Sequence, residues 1–199
     1  MTTAVATTDG RRARRERGRL AVTDAMIDLV LDGQTPDVEL LTDRAGVSEA
    51  TLYRYFDNLD ELRHATMGRF LVRYGSLFKM PACGEGPLDE RIDRFVAARL
   101  RLLDRTEPMA RFTRMRMAVV PELAAELRQL RTMLASQVRR HFAAELDPLT
   151  PARRDDVVAV ICTLTSFESW LQLRDDHGRG PTQIRRALIS TLRCLLVAP

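Results

Sequence analysis

No apolar run in the 199-residue chain approaches the roughly 18 residues a membrane span needs, and the polar opening MTTAVATTDG lacks a signal-peptide core. A cytoplasmic protein without membrane contact is therefore expected. Cysteine is scarce. Cys83, Cys162 and Cys194 are odd in number and share no metal-like spacing, so reduced structural thiols are expected, with redox sensing the less favoured reading. Aromatic residues make up only 6% of the chain, and it contains no glycine-rich phosphate loop.

Catalytic constellations are missing as well. His64, His141 and His177 are scattered, with no Ser-His-Asp order or Cys-His pairing around them. Glu168 lies two helical turns from Asp175, too far for adjacent metal ligands, and the group Asp175, Asp176 and His177 reads as an exposed helix end before Gly178. No catalytic residue, metal or cofactor is expected, and a helical enzyme is the least supported class.

What is present favours helix: 45% hydrophobic and 29% charged residues, rich in Arg, Leu and Ala. The net charge of +4 is unevenly spread. Up to Arg19, six arginines oppose Asp9 and Glu16; from Leu20 to Arg63, three arginines face ten acids; the remainder holds 22 basic and 15 acidic residues. This pattern divides the chain into a basic flexible arm (1–19), a three-helix head (20–63) and a larger helical domain (64–199), in an all-α fold of about nine helices. In the head, a first helix from about Arg14 to Leu31 carries Leu20, Ala25, Met26, Ile27, Val30 and Leu31. A second begins at a capping Asp37 with Val38, Leu41 and Ala45 facing inward.

The most informative stretch is AGVSEATLYRYFDNLDEL, Ala45 to Leu62. Gly46 suits a left-handed turn, Val47 pins it, and Ser48 caps the next helix by accepting the amide of Thr51. Leu52 and Phe56, four apart, point inward; Glu49, Ala50, Thr51, Tyr53, Arg54 and Tyr55 remain on or beside the outer face. This is a helix-turn-helix. With Asp60, Glu61 and Leu62 opening the following helix, Gly46, Val47, Ser48, Thr51, Leu52, Tyr53, Tyr55 and Phe56 resemble the signature of TetR-family transcriptional regulators.

The resemblance implies double-stranded DNA as partner, with Thr51, Tyr53 and Tyr55 on phosphates, and with Glu49, Ala50 and Arg54 facing base edges beside the capping Ser48. Arg11, Arg12, Arg14 and Arg15 of the arm would meet phosphates or the minor groove. Three positions depart from the family pattern. Asp37 stands where Thr or Ser often does, Glu39 where a basic or small residue approaches DNA, and Leu59 where Lys is common. Each removes or opposes a phosphate contact, so weak, steeply salt-dependent binding is expected, or its partial loss.

Periodicity continues the helices: one from about Leu59 to Phe78, a loop over Pro81 to Pro87, then Asp89–Leu103 and a separate Met-rich Pro108–Val119 with Met115 and Met117. A helix from Pro121 carries leucines through to Phe142, and another spans Pro151 to Asp175. That helix contains VVAVICTLTSF, apolar around most of its circumference, and so needs cover on more than one side. The last presents Ile184, Leu188, Leu192, Leu195 and Leu196. By the resemblance, the large domain binds a small-molecule effector, with Phe70, Phe95, Phe112, Met115, Phe142, Phe167 and Trp170 as pocket candidates. The last two helices make a homodimer, so that two heads read a palindromic operator. Repression relieved by ligand is the expected activity, though activation is open. The rival reading is a TetR-like ligand- or protein-binding module whose DNA contact has weakened or disappeared.

Overall fold

The computed structural model describes residues 4–116 and 121–197. They form ten α-helices and no strand. No helix among them is long and apolar enough to cross a membrane. The chain divides into two compact units, one of Met1–Gly75 with Pro108–Leu123, the other of Ser76–Glu107 with Ala124–Pro199.

The first unit is built on α1 (Ala4–Leu31), which includes the basic segment expected as a flexible arm. Arg and Ala are strong helix formers, so the helix runs back through the arginines. Its buried residues include Val22, Ala25, Met26, Ile27, Leu29 and Val30; Leu20, expected inside, is 37% exposed. Helix α2 (Val38–Ala45) starts at Asp37, whose Oδ1 accepts the Leu40 amide at 2.8 Å, and ends at Gly46 with φ 64°. Ser48 caps α3 (Glu49–Tyr55), its Oγ accepting the Thr51 amide at 3.2 Å. Asn58 caps α4 (Leu59–Arg73) through the amides of Asp60 and Glu61. Helix α4 stops at Tyr74, and a 3₁₀ turn covers Gly75–Phe78, so the expected continuous helix to Phe78 is broken.

Val22, Ala25, Met26, Leu29, Leu41, Leu52, Phe56 and Leu62 form the core of this unit, with Val47, Leu59 and Phe112 packed against it. Arg69 on α4 donates bidentately to Asp24 on α1 at 2.8 and 2.9 Å, and Arg73 pairs with Asp28 at 2.8 Å. The expected head boundary at Arg63 thus moves outward. All of α4 belongs with the head, and so does the segment carrying Phe112.

That segment is the end of α5 (Leu88–Arg116), a single helix containing Pro108. Two helices were expected because proline removes an amide donor and crowds the preceding turn. Leu102 and Leu103 before it and Met109 and Thr113 after it are buried, and this burial holds both halves in helix across the missing bond. Met117 and the expected end at Val119 lie outside the described residues.

In the second unit, α6 (Pro121–His141) stops before Phe142, and a short α7 (Ala143–Leu146) follows. The expected helix from Pro151 to Asp175 is three pieces: α8 (Pro151–Leu164), α9 (Phe167–Leu171) and a π turn over Gln172–Asp176. The break has a local cause: Ser166 leaves the helical conformation for an extended one and caps α9 by accepting the Ser169 amide, so α8 closes at Thr165. On α8, Val157, Val158 and Ile161 are buried, while Ala159, Val160 and Thr163 are exposed in the single chain. Helix α10 (Pro181–Val197) buries Ile184, Leu188, Leu192 and Leu196, one per turn. Leu195 is half-buried.

The unit's interior is tied by Arg91. It meets Glu145 at 2.5 and 2.8 Å and donates to the carbonyls of Gly86 and His141. Arg174 stacks 4.4 Å over Trp170 and binds Glu107 bidentately at 2.7 and 2.8 Å. These carboxylates and hydrogen bonds raise the pKa of both guanidinium groups.

Candidate nucleic-acid interface

The outer face of α3 is where base-reading side chains would stand. Leu52 and Phe56, 1% and 2% exposed, fix the helix against α1 and α4, leaving Ser48, Glu49, Ala50, Tyr53 and Arg54 exposed. Ser48 and Thr51 share a hydroxyl hydrogen bond at 3.0 Å, and Arg54 reaches the Thr51 hydroxyl at 3.5 Å. Thr51 is half-buried, so its hydroxyl is partly spent within the helix. Of the two tyrosines expected on phosphates, Tyr53 is 46% exposed. Tyr55 is half-buried and packs against the head core.

Arg11, Arg12, Arg14 and Arg15 are exposed on α1. Arg15 also donates to the Arg54 carbonyl at 3.4 Å, bringing the basic end of α1 beside the carboxyl end of α3. The resulting surface has cations on α1 and on α3, and a carbonyl-rich helix end neutralised from within.

That neutralisation falls mainly to Arg19, which in the sequence is one more charge of the basic arm. Its guanidinium donates to the Tyr55 carbonyl, pairs with Glu61 at 2.9 Å and lies 4.3 Å over the Phe56 ring. Glu61 also accepts the Asp57 amide at 2.6 Å; that bond first, and Arg19 second, hold its carboxyl below the usual range. Arg19 is thus committed to the fold of the head. No sequence signal separates it from the exposed Arg17 except its register, one turn before Val22 and Thr23.

The three departures from the family pattern also find places. Asp37 caps α2 with one carboxylate oxygen, Glu39 is exposed, and Leu59 packs against the head core. A lysine at position 59 would give up that burial.

The pocket candidates fall in separate places. Phe95 and Phe142 meet edge to face at 5.3 Å, and Phe167 and Trp170 are 5.8 Å apart, all in the second unit. Phe70 pairs with Tyr74 in the first unit. Phe112 packs on the head core and lines a cleft with Met26, Leu41, Leu59 and Leu62. Met115 is 70% exposed, because the inward stripe of α5 passes through Met109, Phe112 and Thr113 and leaves it on the outer side. His141 is fully buried: its Nδ1 accepts the Gly84 amide and its Nε2 faces the Arg91 carbonyl. Of the cysteines expected as structural thiols, all three are free, but Cys83 and Cys194 are exposed and only Cys162 is half-buried.

Residues 37–66, spanning α2, α3 and the first half of α4, match the family model described as bacterial regulatory proteins, tetR family. No curated protein matches the chain.

Proposed function

We propose that this chain, a DNA-binding transcriptional regulator of TetR type by the head it carries, is a repressor that leaves its operator when a small molecule occupies the second unit. The observation that supports it best is the exposed face of α3, Ser48 to Arg54, flanked by the arginines of α1. In this reading Thr51, Tyr53, Arg11, Arg12, Arg14 and Arg15 meet phosphates. Glu49 accepts from a cytosine amine and Ala50 meets a thymine methyl. Tyr55, half-buried against the head core, has less surface to offer a phosphate than Tyr53.

A homodimer follows from the same reading, since two heads must meet successive major-groove faces about 34–36 Å apart on a palindromic operator. The open side of α8, with Val160 43% exposed, and the exposed Val197 on α10 support a second copy seated there. Ligand binding would favour a dimer in which the recognition helices no longer keep that spacing, a population shift within the cytoplasmic pool.

A second reading is supported by charge. Asp37, Glu39, Asp43, Glu49, Asp57 and Asp60 are all exposed on the head, against Arg44 and Arg54. In that reading the chain is a ligand- or protein-binding module with weakened DNA contact. An anisotropy titration against the DNA flanking its own gene separates the two. The repressor reading expects specific, salt-sensitive binding; its absence even at low salt leaves the second reading.

A further inference from the structure

Two arginines of α5 are buried in the second unit, and the fold treats them differently. Arg91, 5% exposed, is met by both oxygens of Glu145. Arg99, two turns on and 4% exposed, pairs with no carboxylate among the described residues. Its Nη2 donates to the Leu134 carbonyl at 3.1 Å, and its guanidinium lies 5.0 Å over the ring of Phe95. Burying a guanidinium without a counter-charge costs several kcal/mol, which one carbonyl and one ring face repay only in part. Burial pushes its pKa down to about 10, so at neutral pH the charge remains in place. The half-buried Cys162 thiol of α8 lies near enough to feel that charge.

We infer that Arg99 anchors an acidic small molecule within the second unit, its carboxylate taking the guanidinium that no carboxylate among the described residues meets and its body lying on the side of the half-buried Cys162, since the Phe95 ring is already covered by Arg99, His141 and Phe142. A monoanion fits better than a phosphate. The other cation acting on Cys162, Arg139, is already held by Asp155 at 2.7 Å, which leaves one positive charge to be matched. A planar carboxylate suits the fork of a guanidinium whose Nη2 alone is engaged. The inference rests on the effector reading only for its consequence at DNA; the anion site itself stands on Arg99 and its surroundings.

The test uses the full chain, thermal melting at constant ionic strength, and the probes benzoate and octanoate beside their uncharged primary amides. The acids are expected to raise Tm by roughly 3–6 °C at about ten times Kd, and the amides to leave it unchanged. Arg99→Met should melt no lower than wild type without ligand and should not respond to the acids. Amides that work as well as acids, an unchanged response in Arg99→Met, or no rise with either acid would overturn the site. So would a fall in the unliganded Tm of Arg99→Met comparable to a core truncation. Anisotropy with the same probes then reads the consequence at DNA: acid binding without operator release keeps the Arg99 site and removes the effector reading.

Discussion

Tyr55 fills the space that a side chain on Gly18 would need: a Cβ built there would stand 2.3 Å from the phenolic oxygen and 2.4 Å from Cζ. The last residue of α3 is thus seated on the backbone of α1. In an exposed helix Gly18→Ala would stabilise by about 1 kcal/mol through propensity alone. Here the ring must move, and overpacking of this kind costs about 1–3 kcal/mol. The clash therefore decides the sign: the variant is expected to melt below wild type and to bind operator DNA more weakly. A higher Tm would show that Tyr55 swings out at little cost.

Arg19 makes a second prediction, about acid. Arg19→Met keeps the stem over Phe56 but gives up the Tyr55 carbonyl and Glu61, so a loss of about 1–3 kcal/mol is expected in chemical denaturation. Glu61 has its folded pKa lowered from 4.5, so its contribution is present above that value and is lost as pH falls through the folded pKa. Below about pH 4.5 wild type should lose stability faster than Arg19→Met. Parallel acid limbs would assign the shift to the Asp57 amide alone.

The head was legible because its signals are local. Asp37, Gly46 and Ser48 are caps and turns decided within four residues, and Leu52 and Phe56 declare their face by spacing. Local signals misled at Pro108, where burial on both sides outweighs one missing amide, and gave no sign of the Thr165–Ser166 break, where an extended Ser166 caps a new helix. The roles of Gly18, Arg19 and Arg99 were invisible for a different reason. Each depends on a partner 35 to 37 residues away, Tyr55 for Gly18, the Tyr55 carbonyl for Arg19 and the Leu134 carbonyl for Arg99. In a run such as RRARRERGR nothing marks which guanidinium will face inward.

His141 gives a pH prediction of the same sign for a different group. Its neutral ring accepts the Gly84 amide on Nδ1 and donates from Nε2 to the Arg91 carbonyl, and burial lowers its pKa from 6.5. The unfolded chain therefore binds the proton first as pH falls, and stability drops below about pH 6.5. His141→Gln should cost about 1–3 kcal/mol at neutral pH by leaving the Gly84 amide or the Arg91 carbonyl poorly matched. It should also remove this pH dependence between about pH 7.5 and 5.5. A variant that keeps the wild-type slope would place the titration elsewhere.

The last prediction concerns how the α1 arginines are used. Arg11, Arg12, Arg14 and Arg15 are exposed, whereas Arg19 is spent inside the head, so only the former can displace counterions from DNA. Replacing those four with Ala should flatten the dependence of log K on log salt by roughly 0.9 for each phosphate that is no longer neutralised. Arg19→Met should lower affinity at every salt concentration with the slope preserved, because it loosens the seating of α3 and leaves phosphate neutralisation intact. Arg15 is the intermediate case, since its bond to the Arg54 carbonyl is long at 3.4 Å and is open to exchange for a phosphate. Arg15→Ala alone should shift both slope and affinity. Anisotropy titrations of the three variants across salt read these outcomes directly. An unchanged slope in the fourfold variant would mean that these four arginines lie off the duplex and that phosphates are met by other groups of the head, the exposed Arg17 and Arg54 among them.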